Sequence, residues 1–177
     1  MRIIDNVLSE QDFELIKKRL VYNHDLSWGW SPQKVFKDDG TDTLVSMIYQ
    51  GHEPKQKDHF VTLYTLFNKT LDVVSWYRIK INCTWKKQEY RVYGYHQDYG
   101  KHSDERIKHS KTAIFYCTTT DGPTVFEDPH ESVDCIENRL VIFDGSRKHS
   151  GTTHTEGNER RIVINFNYFK CLNLFTQ

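Results

Sequence analysis

His96 and Asp98 stand two residues apart in Tyr95-His96-Gln97-Asp98-Tyr99, and His149 follows far along the chain in Arg147-Lys148-His149-Ser150-Gly151. On an extended strand, residues i and i+2 share a face, so His96 and Asp98 can meet one metal ion while Gln97 points away. A third ligand must arrive on a strand that returns beside them, and only a closed or folded-over sheet supplies one. Two imidazoles and one carboxylate occupy one face of an octahedron and leave three positions open, the ligand set of a mononuclear iron(II) site. A metal enclosed by protein ligands can hold a fold together, but it cannot also bind a co-substrate and O2. His-x-Asp by itself is a weak signal in a chain with nine histidines, and the residues after His149 strengthen it.

Those residues are a turn-rich loop, Thr152 to Asn158, and then Arg160-Arg161-Ile162-Val163-Ile164-Asn165-Phe166-Asn167-Tyr168-Phe169. Arginine holds a carboxylate through two parallel, charge-assisted hydrogen bonds. Alternation places Arg160 with Ile162, Ile164 and Phe166, and Arg161 with Val163, Asn165 and Asn167. The second face is polar in a strand that should be central, and burying it is costly unless it lines a site. Arg161 is therefore the expected carboxylate anchor, with Arg160 as the competing choice or a solvent-facing residue at the strand start. His154 is a rival to His149 as third ligand; the Asn138-Arg139-Leu140-Val141-Ile142-Phe143 run leads into His149, whereas His154 lies in the Thr/Gly/Asn-rich turn.

Four segments together carry a resemblance: His96-Gln97-Asp98; Lys111 to Tyr116 followed by Asp121-Gly122-Pro123-Thr124-Val125-Phe126; Asn138 to Phe143 running into His149; and Arg161 through Phe169. In this order they resemble the 2-oxoglutarate- and iron(II)-dependent dioxygenases, above all prolyl-hydroxylase-like members, including small phage-encoded ones. The resemblance covers roughly residues 78–170. It implies a mainly β fold with flanking helices (α+β), built on a double-stranded β-helix or jelly roll. It implies Fe(II) on His96, Asp98 and His149, with 2-oxoglutarate chelating the metal. Arg161 and Tyr116 would hold the far carboxylate, Thr124 would line that pocket, and O2 would take the last position. The implied reaction is hydroxylation of a C–H bond with decarboxylation of 2-oxoglutarate to succinate and CO2. Two other readings fit fewer of these residues: a jelly-roll binding module with a vestigial or structural metal site, and a cupin-like enzyme using zinc or manganese without 2-oxoglutarate.

The primary substrate is not implied. Peptidyl or free amino acids are favoured by the resemblance, but the segment before His96 is shorter and differently composed than in typical prolyl hydroxylases. Nucleic acid is not favoured, because 24 Lys and Arg balance 24 Asp and Glu and leave no global basic field. A chain of 177 residues suits one domain with a sizeable core, residues 1–177, with N-terminal helical support over about 1–75 and the jelly-roll core over about 76–170. The apolar runs are too short to span a bilayer, and no secretory h-region opens the chain, so no membrane association is expected. Cys83, Cys117, Cys135 and Cys171 are widely spaced and read as reduced thiols of a cytoplasmic protein (the host cytoplasm, for a phage protein). Oligomeric state is not legible.

Along the chain, residues 1–5 read as a short strand. Ser9 caps a helix with Asp12 as its capping-box partner and Phe13, Ile16, Leu20 and Val21 on the apolar face. Residues 22–45 form a polar and aromatic segment in which Trp28 or Trp30 either anchors a surface loop or lines the mouth of the site. Leu44–Tyr49 reads as a strand, and 57–71 as a helix with Phe60, Leu63, Tyr64 and Phe67 on one side. His52 and His59 are expected at the surface. Residues 73–85 read as a strand with Tyr77, Ile79 and Ile81 alternating. Tyr93 is either packed or near the substrate. Residues 99–110 read as a mobile loop beside the site, its His102 and His109 solvated. A strand is expected over 111–119, a turn at Asp121-Gly122, Thr124 and Phe126 on one side of the next strand, an exposed His130, and a short buried strand over 139–144.

Overall fold

The computed structural model describes residues 1–32, 42–99 and 109–170. The centre of the polar loop after Asp98, with His102, lies outside the described residues, as does Cys171. Strands β1 (Arg2–Ile4), β2 (Gly29–Ser31), β3 (Thr43–Gln50), β4 (Glu53–Pro54), β5 (Val73–Trp85), β6 (Ser110–Tyr116), β7 (Thr120–Phe126), β8 (Glu131–Cys135), β9 (Arg139–Asp144), β10 (His149–Gly151) and β11 (Arg160–Lys170) are joined by helices α1 (Glu10–Ile16) and α2 (Lys57–Leu71). They form two antiparallel sheets. The major sheet runs β1-β9-β6-β11-β5-β3-β2 with β4 beside β3, and the minor sheet runs β10-β7-β8. This is a double-stranded β-helix with helices on one sheet. The N-terminal segment does more than buttress it: β1 extends the major sheet at one edge and β2 to β4 extend it at the other.

The major sheet is two-faced because its central strands alternate. Ile79, Ile81 and Cys83 of β5 and Ile162, Ile164 and Phe166 of β11 face α1 and α2. There they meet Phe13, Ile16, Leu63, Phe67 and Leu71, with the Phe67 ring 5.0 Å from that of Phe115 and 4.9 Å from that of Phe166. Each such fully buried side chain stabilises the fold by about 1.5–3 kcal/mol. A second cluster, including Tyr116, Phe126, Val141, Phe143 and Val163, fills the space between the sheets. The Ser9 cap forms: its Oγ accepts from Asp12 N–H at 3.2 Å and donates to the Asp12 carboxylate at 2.8 Å. A π-helical turn, Lys17–Val21, then brings Leu20 and Val21 into the core.

Local expectations fail at four places, each for an identifiable reason. Tyr77 is 42 % exposed and Trp76 takes its place in the core. A register shift opposite Asn167/Tyr168 inserts one extra residue in β5 and reverses the faces beyond it. His59 is buried in α2 with Leu63 and Phe67, and Tyr64 is exposed. The apolar stripe thus continues through Leu63, Phe67 and Leu71 and leaves Tyr64 on its flank. Asp121-Gly122 lies inside β7 rather than at a turn. A Cβ on Gly122 would stand 2.9 Å from His154 Cβ and from Thr153 O, so glycine is there for close packing. Finally, β6 stops at Tyr116, three residues short of the expected end.

Candidate metal centre

The segment that carries His96 and Asp98 is not a regular strand. It touches the minor sheet through isolated bridges, Val92 with Thr152 and His96 with His149, and then turns at Asp98 and Tyr99. The His96–His149 bridge is a reciprocal pair of backbone hydrogen bonds, each 3.0 Å. That pair sets the two ligand residues opposite each other. Beyond it, Tyr99 pins the turn: its hydroxyl donates to Lys111 O at 2.8 Å and lies 3.3 Å from Tyr168 O, and its ring packs on Tyr77. Same-side placement of His96 and Asp98 survives without a strand because both ends of the segment are fixed.

Together the three side chains make the described residues' group suited to a metal ion, with ligand atoms all within 4.8 Å of one another. His96 Nδ1 lies 3.1 Å from Gly94 O and His149 Nδ1 lies 3.2 Å from Arg147 O. A carbonyl oxygen only accepts, so both Nδ1 atoms carry the proton and both Nε2 atoms present a lone pair inward. His149 Nε2 stands 3.5 Å from Asp98 Oδ2. Two acceptors facing each other at this distance repel unless a proton or a metal ion lies between them. The donor set therefore fits a divalent metal ion of the iron(II) type.

Asp98 is held from behind. Its Oδ1 accepts from Arg78 Nη2 at 2.8 Å, and its Oδ2 accepts from Asn165 Nδ2 at 3.1 Å, Asn167 Nδ2 at 3.0 Å and Thr112 Oγ1 at 3.3 Å. Arg78 Nε also donates to Asn167 Oδ1 at 3.0 Å. Burial by itself pushes the Asp98 carboxyl upward. The fields of His149 and His96 when protonated, as they can be with no metal bound, together with those of Arg78 and Lys80, outweigh it and hold the group far below the usual carboxylate range, so it stays an anion.

Arg161 is 3 % exposed and faces the same space. Its Nε donates to Gly122 O at 2.8 Å and its Nη2 to Thr124 Oγ1 at 3.3 Å, and the guanidinium carbon stands 5.8 Å from the Tyr116 ring centre. The Tyr116 hydroxyl also donates to Thr124 Oγ1, at 2.8 Å. Thr124 thus accepts twice, which directs its own proton elsewhere. Burial pushes the Tyr116 phenol well above its ordinary pKa, so it acts as a neutral donor. Arg161, Thr124, His96, Asp98 and His149 line one cavity of about 50 Å³, together with Lys80, Asn82 and Asn165. Arg160, by contrast, is exposed at the strand end.

No family model matches the sequence, and no curated protein does. Solved structures do. The chain superposes on a 2OG-Fe(II) oxygenase family oxidoreductase from Burkholderia pseudomallei with a TM-score of 0.67 at 14 % identity, covering 94 % of this chain and 84 % of that one. A prolyl hydroxylase from Trichoplax adhaerens, in complex with a hypoxia inducible factor peptide fragment, gives 0.64 at 14 % identity over 96 % and 83 %. HygX from Streptomyces hygroscopicus, with nickel and 2-oxoglutarate bound, gives 0.59 at 12 % identity over 98 % and 83 %. This chain has the fold of the 2-oxoglutarate–iron(II) oxygenases.

Within that oxygenase fold, the remaining candidates fall away from the metal group. His154 is fully buried but turned aside, its Nε2 3.1 Å from Asn158 O. His52, His109 and His130 are exposed. Tyr93 is buried and its N–H bonds Gly151 O at 3.1 Å. Trp28 packs on the core, Trp30 is 66 % exposed, and both line a groove of about 610 Å³ that shares Lys80 with the lining of the metal cavity. Burial, together with Arg78, pulls the Lys80 ammonium down to about 8 against the opposing pull of Asp98. Sequence reasoning missed Arg78, Lys80, Thr112 and Tyr99. Arg78, Lys80, Asn82 and Thr84 alternate with the apolar Ile79, Ile81 and Cys83, the same polar-face signal that distinguished Arg161.

Proposed function

We propose that this protein is an iron(II)- and 2-oxoglutarate-dependent oxygenase that hydroxylates a C–H bond of an amino-acid-derived substrate. The observation that carries the reading is the pairing of two sites on one wall of the fold. His96, Asp98 and His149 converge with inward lone pairs, and the buried Arg161 lies in the same cavity on the strand that also supplies Asn165 and Asn167 to Asp98. A metal site that is only structural has no use for a buried guanidinium beside it.

In this reading His96, Asp98 and His149 hold Fe(II), and Arg161, Thr124 and Tyr116 receive the far carboxylate of 2-oxoglutarate. When bound, the pair supplies O2 activation coupled to decarboxylation of 2-oxoglutarate to succinate and CO2. The protein's own part is positional. Two carbonyls fix the imidazole tautomers. Arg78 and the two asparagines keep Asp98 ionised and oriented. Arg161 spends two of its five N–H groups on Gly122 and Thr124, which aims the rest. Of the groups that would touch the pair, a divalent ion and Asp98 leave +1, Arg161 adds another and the co-substrate brings −2, with Arg78 and Lys80 as further positive charge around them. The cavity, as it stands, has room for a few waters only.

The peptide seen with the Trichoplax hydroxylase supports a peptidyl or free amino-acid substrate here. Among the described residues no helix is long and apolar enough to cross a membrane, and Cys83, Cys117 and Cys135 are buried free thiols, which suits the cytoplasm. The deciding experiment is anaerobic titration of metal-free protein with Fe(II) and 2-oxoglutarate, followed through the visible metal-to-ligand charge-transfer band. A band in the wild type that weakens at least tenfold in affinity in Arg161→Ala is expected. Folded, iron-loaded protein without a band would sink the reading and leave a binding module.

A further inference from the structure

Among the described residues on the polar face of the major sheet, Lys80 lines the metal cavity but is given no part in holding the metal or the co-substrate. Lys80 stands on β5 directly opposite Asn165 of β11 and Met47 of β3. Arg78 is neutralised by Asp98 and Arg161 is tethered to Gly122 and Thr124. Among the described residues, the half-buried Lys80 ammonium makes no hydrogen bond and feels Asp98 only through its field, while its neighbour Asn165 presents a buried Oδ1 without a partner. An unfilled donor and an unfilled acceptor side by side in one pocket mark a place where something polar binds.

The location says which side it comes from. Lys80 lines both the metal cavity and the groove flanked by Trp28 and Trp30, whereas Arg161 and the metal ligands line only the cavity. The groove is a built feature. Gln56, just ahead of α2, shares the two N–H bonds of its side-chain amide among Ser46 Oγ at 2.7 Å, Met47 O at 3.1 Å and Ser27 O at 3.3 Å, and accepts from Ser27 N–H at 3.0 Å. Those bonds fasten the Ser27–Ser31 wall to β3. Among the described residues two lysines and no carboxylate line it, and Lys55 is already paired with Glu53. A molecule lying in this groove therefore meets Lys80 as a positive charge not held in an ion pair, at the lining residue that groove and metal cavity share.

We propose that Lys80 is a specificity-determining residue that binds a carboxylate of the primary substrate, with that substrate lying in the Trp28/Trp30 groove. The substrate class is accordingly a small carboxylate, such as a free amino acid or the C-terminal residue of a peptide, rather than an internal peptide segment. The assignment deepens the oxygenase reading and rests on it for the identity of the site, but not for the binding itself. Charge supports it. With a divalent ion and 2-oxoglutarate in place, Asp98 and Arg78 cancel, and Arg161 and Lys80 leave the pocket net positive. A substrate carboxylate lowers that excess and repels neither asparagine.

The test uses small carboxylates, from acetate to N-acetyl-L-proline and L-proline, each beside its primary amide. Binding is read by tryptophan fluorescence and calorimetry on the full chain, metal-free and again with Fe(II) and 2-oxoglutarate under anaerobic conditions. At least one carboxylate should bind tenfold or more tightly than its amide. Lys80→Met should abolish that preference, Lys80→Arg should restore part of it, and both variants should keep the charge-transfer band. Lys80→Gln, which retains length and polarity, serves if the methionine variant does not fold. Equal binding of acid and amide, no carboxylate binding at all, or a preference surviving in Lys80→Met overturns the assignment. Loss of the charge-transfer band in Lys80→Met, with the protein folded, also overturns it and gives Lys80 to the co-substrate. Absence of the band in the wild type instead refutes the oxygenase reading, while the acid-versus-amide comparison on metal-free protein still decides the role of Lys80.

Discussion

Asp98 is the residue on which the site turns. A buried carboxylate costs several kcal/mol to desolvate unless cations and donors surround it. Here Arg78, Asn165, Asn167 and Thr112 do so before any metal binds. Arg78 is 18 % exposed along its side chain and Asp98 3 %, so solvent screens the pair little. Replacing Arg78 by Met should destabilise metal-free protein by about 3 kcal/mol, because the anion is left buried and unpaired. Urea unfolding at neutral pH measures that loss. The same variant should bind Fe(II) about tenfold more weakly, as carboxylates lose orientation with their supporting partners. An unchanged iron affinity would show that the asparagines suffice to hold the ligand. Two residue-level features of the sequence pointed here, His96-x-Asp98 and the Asn165-x-Asn167 pair. Arg78 did not stand out, because nothing in a local window says that a strand far upstream will lie beside β11.

At the scale of elements, β5 and β11 explain most of what could be read in advance. Each alternates between an apolar face for the helices and a polar face for the site, and a period of two is legible in one dimension. The α1 cap and the limits of α2 and β5 were equally legible, since Ser9, Asp12 and the apolar spacing act locally. The bulge at Tyr77 was not, because it is defined by the partner strand's register. Gly122 shows the same limit: Asp-Gly is turn chemistry in a local reading, yet here the glycine makes room for the returning 152–154 segment. Gly122→Ala should cost about 2 kcal/mol from overpacking against backbone, a fall in Tm of roughly 4–8 °C for a chain of this length. Differential scanning calorimetry reads this directly, and a Tm within a degree of wild type would show that the 152–154 loop yields freely.

The whole molecule responds to acid through its buried histidines. His59 and His154 have their pKa values held below the ordinary range, first by burial, and each has an Nδ1 without a hydrogen-bond partner among the described residues. A folded-state value below the unfolded one means that the native state binds fewer protons. The stability involved is complete above the unfolded pKa, about 6.5, and is lost as pH falls from there through the folded values. Each histidine steepens the dependence by up to about 1.4 kcal/mol per pH unit. Denaturation midpoints of metal-free protein at pH 7.5, 6.5 and 5.5 should therefore decline, and His59→Leu should flatten the decline by one histidine's share. His96 adds in the same direction. A parallel decline in the variant would place the acid sensitivity elsewhere.

What the sequence determined by itself was whatever short range encodes: strand alternation, the helix cap, the His-x-Asp spacing and the polar face that singled out Arg161. From these came the expectation of a closed or folded-over sheet on which the ligands meet; the jelly roll itself was implied by the family resemblance. Tertiary structure alone decided which distant groups share a volume. It placed Arg78 against Asp98, made Thr124 the acceptor shared by Tyr116 and Arg161, and turned His154 away from the metal group that His149 enters. It also set Lys80 in the lining of both cavity and groove. The physical reason is that charge pairing and desolvation depend on distance through space, and register and bulges fix that distance only once the sheets have closed.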